Sequence, residues 1–119
     1  MKKISILSLF SLFLILWACN GDNSGTTDCT GVVASYSATV KDILNSSCAL
    51  SGCHTSQNPQ SNIDLSTYDK AKLNGAKASF LCSIKHESGC KPMPDGSPKL
   101  TDTEIKILDC WASNGFPLN

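Results

Sequence analysis

Polar and apolar positions alternate along this chain in distinct rhythms, and each rhythm predicts an element. Ile4 to Trp17 is an apolar run broken only by Ser5, Ser8 and Ser11 and preceded by Lys2 and Lys3, the pattern of an export leader and too short for a firm membrane span. Residues 20 to 31 are rich in Asn, Asp, Gly, Ser and Thr with no apolar period, which predicts a flexible tether reaching roughly 20 Å. Tyr36, Val40, Ile43 and Leu44 recur at helical spacing, so a helix is expected from about Ser35 to Ser47. The stretch from Ser56 to Ile63 reads as a loop. Ser66-Thr67-Tyr68-Asp69 has the form of a capping box and predicts a helix start there, with Gly75 interrupting the helix. A second helical piece, about Lys77 to His86, would bury Phe80, Leu81 and Ile84 and end at Gly89. The last helix carries the fullest punctuation. Thr101 is its expected N-cap with Glu104 at N3, Leu100 and Ile105 form a staple, and Asn114-Gly115 with Pro117 stops it. Ile105, Leu108 and Ala112 make its apolar face, with Trp111 beside them where the first and last helices would cross.

The leader divides the chain into a signal segment (1–18), a tether (19–32) and one folded domain (33–119). Leu16-Trp17-Ala18-Cys19 resembles a bacterial lipobox, which makes Cys19 the expected site of lipidation. Trp17 stands where a small residue is usual, and an ordinary secretory signal or an uncleaved anchor is the competing expectation. Both routes export the domain to the cell envelope, a compartment that permits disulfides. A unit of about 85 residues buries a modest core and commonly needs cross-links or a cofactor. Seven cysteines meet that need. All ten basic residues are lysine, and loss of the leader leaves eight of them against ten carboxylates, a balance that argues against nucleic acid as a partner.

Chemistry concentrates in Cys48-Ala49-Leu50-Ser51-Gly52-Cys53-His54. Two thiols followed at once by an imidazole can form two thioether bonds to a haem and supply its proximal nitrogen ligand from His54. Four residues separate these cysteines where the usual run has two, so the extra pair would have to bulge outward. Farther on, Pro92 and Pro94 hold Met93 out of helical conformation, and a methionine held that way can direct its thioether to one place. A cofactor-free alternative makes all six cysteines after Cys19 structural, with fifteen possible connectivities. With two cysteines given to haem, Cys29, Cys82, Cys90 and Cys110 have three pairings. Cys82 with Cys90 is the local one, and Cys29 would then reach Cys110. Zinc on Cys48, Cys53, Cys82 and His86 is a further alternative, disfavoured by an oxidising compartment.

Ile43-Leu44 before Cys48, Ser51-Gly52-Cys53-His54, Ile63 to Tyr68, Met93-Pro94, Lys99 to Asp102, and Trp111 with Asn114-Gly115-Phe116-Pro117 together resemble the planctomycete-type cytochrome c domains of exported bacterial lipoproteins. The resemblance covers about Tyr36 to Asn119. It implies an all-α, cytochrome c-like fold of three to four short helices around one haem, with long loops. It also implies one covalent haem c on Cys48 and Cys53, with His54 the proximal and Met93 the distal iron ligand. His86, the only other histidine, is the alternative distal ligand. The expected function is one-electron transfer by a membrane-tethered monohaem protein with redox proteins as partners. The alternative is a haem-free, disulfide-stapled lipoprotein domain acting as a binding or structural module. A haem peroxidase would require Met93 to leave the iron, and no separate histidine base is evident for it.

Overall fold

A computed structural model describes residues 27–119. The expected leader, Cys19 and the expected tether as far as residue 26 lie outside the described residues. The helix expected at Tyr36, Val40, Ile43 and Leu44 forms in two parts. Tyr36–Val40 is a π-helical turn, in which the amides of Val40 and Lys41 reach the carbonyls of Ser35 and Tyr36, and it runs directly into α1 (Lys41–Ser47). All four apolar residues are buried. The first amides of a helix lack internal partners; here those of Tyr36 and Ser37 donate to the carbonyls of Pro117 and Leu118, both at 2.9 Å. The carboxyl-terminal tail thus caps the first helix.

Three more helices follow: α2 (Tyr68–Gly75), α3 (Ala78–Lys85) and α4 (Asp102–Ser113). With α1 they make the domain all-helical, with no strand among the described residues. The polar loop contains one 3-10 turn, Gln60–Asn62. Two local expectations change. Ser66 does not cap α2; its hydroxyl and amide both bind the Asp64 carboxylate, at 2.6 and 2.9 Å, and Thr67 takes the N-cap position without a side-chain bond. The two bonds close an Asx turn from Asp64 to Ser66, which places Ser66 one residue ahead of the cap position. Nor does Gly89 end α3. His86 does so in the left-handed conformation (φ 58°), and the amides of His86 and Glu87 return to the carbonyls of Ser83 and Cys82, the bonding of a Schellman stop.

α4 follows its punctuation. The Glu104 amide donates to Thr101 Oγ1 at 3.2 Å, and the Thr101 amide donates to the Glu104 carboxylate at 2.8 Å. At its other end Gly115 (φ 78°) and Phe116 return their amides to Ala112 and Trp111. Trp111 has no exposed surface and lies in an aromatic cluster with Tyr36, Tyr68 and Phe116, linked pairwise at centroid distances of 4.9 to 6.2 Å. Its indole donates to the Pro117 carbonyl at 3.0 Å and the Tyr68 hydroxyl to that of Phe116 at 2.9 Å, so the polar edges of these rings are satisfied inside. Gly75 ends α2 against this cluster. A β-carbon there would stand 3.1 Å from Phe116 and 3.2 Å from Trp111.

Two disulfides cross-link the frame, Cys29–Cys110 and Cys82–Cys90. The first ties the amino-terminal approach to α4, and the Asp109 carboxylate reinforces that join by accepting from Thr27 Oγ1 and pairing with Lys85, both at 2.7 Å. Disulfides belong to an oxidising, extracytoplasmic setting. No helix among the described residues is long and apolar enough to cross a membrane.

Candidate functional site

Cys48 stands at the carboxyl end of α1, where its amide and that of Ala49 both return to the Leu44 carbonyl, at 2.9 and 2.7 Å. The chain then reverses through Leu50 to Cys53, closed by the Cys53 amide on the Leu50 carbonyl at 2.9 Å with Gly52 at φ 78°. That φ suits the third position of a type II turn and favours glycine. Leu50, Ser51 and Gly52 are exposed on the outside of this turn. Beneath them the His54 amide donates to the Cys48 carbonyl at 3.2 Å, which draws the ends of the long spacing back together. Both cysteines are free thiols, Cys48 half-buried and Cys53 exposed. Burial, followed by the nearby Glu104 and Cys53, pushes the Cys48 thiol up to about 11.

His54 is buried and doubly held by the segment Ile63 to Leu65. Its Nδ1 lies 2.9 Å from the Ile63 carbonyl, and its own carbonyl accepts the Leu65 amide at 2.8 Å. A carbonyl can only accept, so Nδ1 carries a proton, and the tautomer this selects has its lone pair on Nε2. The segment is itself braced. The Asp64 carboxylate takes Lys70 at 2.7 Å and both polar groups of Ser66; these bonds, that of Lys70 first, stabilise the ionised carboxylate and hold its pKa down at about 2. Buried Asn74 donates to the carbonyls of Asp64 and Lys70, at 2.9 and 3.0 Å, and accepts from Lys77 at 2.7 Å.

Met93 is held through its backbone. Its amide donates to the Ser83 carbonyl at 3.1 Å, and its carbonyl accepts from His86 Nε2 at 2.9 Å. Lys91 pairs with Asp95 at 2.6 Å across the strap.

Cys48, Cys53, His54 and Met93 all line one cleft of about 440 Å³, together with Ile63, Leu65, Phe80 and Ile84 and with Lys77, Lys91 and Asp95 among its polar members. That volume falls within the roughly 300–1,000 Å³ of cofactor and small-molecule sites. Two unpaired thiols, an imidazole with its Nε2 lone pair available and a thioether form a donor set that fits a covalently attached haem. His86 is not among the lining residues, and Trp111 belongs to the core. The zinc alternative loses Cys82 to its disulfide, and no group of three or more His, Cys, Asp or Glu among the described residues is placed to hold an ion. Sequence reasoning missed the supports: Asn74 and the Ile63 carbonyl behind His54, Ser83 and His86 behind Met93. Only Asn74, a polar residue on the inner side of a helix, left a signal. No family model, no curated protein and no solved structure matches this chain.

Proposed function

We propose that the protein is a monohaem electron carrier of the small c-type cytochrome kind, tethered through Cys19 to a membrane of the bacterial envelope and exchanging single electrons with redox proteins. The reading rests on one observation, the convergence of Cys48, Cys53, His54 and Met93 on a single cleft with Nδ1 of His54 bonded to a backbone carbonyl. That bond sets the tautomer and turns Nε2 into the metal-binding nitrogen. Bound haem supplies an iron that changes its charge by one electron. Cys48 and Cys53 would anchor it by thioether bonds, His54 Nε2 would be its proximal ligand and Met93 Sδ its distal ligand. A soft, uncharged thioether favours ferrous iron and raises the potential relative to a second histidine. With both axial positions filled in that way the iron would have no vacancy for substrate, and the role would be that of a carrier and not an enzyme.

The test is expression with cytochrome c maturation factors, followed by a reduced pyridine haemochrome spectrum. A two-thioether spectrum supports the reading, with Cys48 and Cys53 closed to alkylation after reduction. A spectrum of the single-thioether type leaves Cys53 bonded and Cys48 free. Absence of haem from a folded, exported protein overturns the proposal. It would favour the second reading, a haem-free stapled binding module, for which the Cys29–Cys110 and Cys82–Cys90 disulfides speak. That reading predicts six alkylatable thiols after reduction. The carrier also predicts a weak or absent cooperative melting transition before haem is attached, because haem would supply much of the apolar interior around the cleft.

A further inference from the structure

We propose that His86 is the positioning residue for Met93, fixing the strap so that the thioether faces the cleft; this rests on the ligand role just proposed for Met93. A thioether has no donor and is a weak acceptor, so strong hydrogen bonds can fix it only by way of the backbone that carries it. Within Pro92-Met93-Pro94 the prolines have no amide hydrogen, which leaves the Met93 N–H as the tripeptide's single backbone donor. That donor is used on the Ser83 carbonyl, and the Met93 carbonyl is held in turn by Nε2–H of His86. Both contacts come from the last turn of α3, and the Cys82–Cys90 disulfide closes the loop between that turn and the strap. The backbone of His86 agrees with this role. It occupies a left-handed cap position (φ 58°) where glycine is the ordinary choice and a residue with a side chain is disfavoured. Histidine there retains a donor long enough to reach across seven residues.

Two variants separate the donor from the turn. His86→Asn suits the left-handed position but shortens the donor, whereas His86→Gln keeps a long amide donor. In the haem-loaded protein, His86→Asn should lose much of the near-infrared methionine-to-iron charge-transfer band and bind carbon monoxide about tenfold more readily, the effect of about one hydrogen bond on the open fraction of the strap. His86→Gln should restore both. Amide hydrogen exchange at Met93, read without reference to iron, should quicken in His86→Asn by about the same factor and recover in His86→Gln. A band and an exchange rate unchanged in His86→Asn would overturn the inference, as would wild-type haem protein with no methionine band. Should the wild-type chain take up no haem, the ligand reading fails separately and the exchange data alone decide whether His86 holds the strap.

Discussion

On one side of the cleft His54 is buried and held by its own ring, through Nδ1 on the Ile63 carbonyl, while the Leu65 amide binds its backbone. On the other side Met93 is half-buried in a strap whose neighbours are mostly exposed, and only its backbone is held. The difference follows from the side chains. An imidazole has a second nitrogen whose proton the protein can grip, so its orientation is set directly. A thioether offers no such handle, and its position passes through proline stiffness, a disulfide and a neighbour's hydrogen bond. The His54 side is continuous with buried Leu65 and Leu44. The Met93 side is a local loop, and such loops are drawn from the low-stability end of a fold.

The most severe way to break this comparison is to remove each candidate ligand. His54→Ala should abolish haem incorporation during maturation, whereas Met93→Ala should retain the haem and open the iron to cyanide or carbon monoxide. Haem content per chain and ligand-binding spectra measure both, and equal loss in the two variants would contradict the unequal roles. Next comes the disulfide on the weaker side. The double variant Cys82→Ser, Cys90→Ser should lower stability by about 2 kcal/mol, the constraint expected of a short loop, with the added hydrogen exchange concentrated between residues 83 and 95. Urea unfolding and exchange mass spectrometry would show it.

On the His54 side, Gly75→Ala places a methyl group 3.1 Å from Phe116 and 3.2 Å from Trp111. Overpacking of this kind costs about 1–3 kcal/mol. A stabilised variant would mean that the aromatic cluster yields easily. Asp64→Asn should have the smallest effect. The pKa of Asp64 is lowered from 3.8 to about 2 in the fold, so its contribution is present above roughly pH 4 and is lost as the pH falls towards 2. Because its partner Lys70 is about half exposed (47%), solvent screening leaves about 1 kcal/mol at neutral pH. Wild type and variant should converge near pH 2 in parallel melting series, and a gap that persists there would sink the assignment.

The last helix was the most legible part of the chain, because its signals act within one turn. Thr101 and Glu104 are three residues apart, and Gly115 and Phe116 reach only to Ala112 and Trp111. Equally local signals misled at α2, where an Asx turn from Asp64 holds Ser66 one residue ahead of the cap. At the candidate site the residue types were readable, since adjacent Cys53 and His54 and a proline-flanked methionine are covalent neighbours. Their supports were not. The Ile63 carbonyl is nine residues from His54, and His86 is seven from Met93 across a disulfide loop.

The sequence by itself determined the helical rhythm, the punctuation of α4, the adjacency of Cys53 and His54 and the stiffness around Met93, all consequences of side chains a few bonds apart. The Cys82–Cys90 and Cys29–Cys110 pairing is the one that chain locality favoured, whereas tertiary structure alone decided that Cys48 and Cys53 stay free, that His86 supports the strap outside the cleft, that the tail carbonyls of Pro117 and Leu118 cap the first helix, and that the four candidate residues share one cleft. Each of those contacts joins groups whose separation along the chain says nothing about their distance in space. Only packing of the buried faces brings them within reach of a bond.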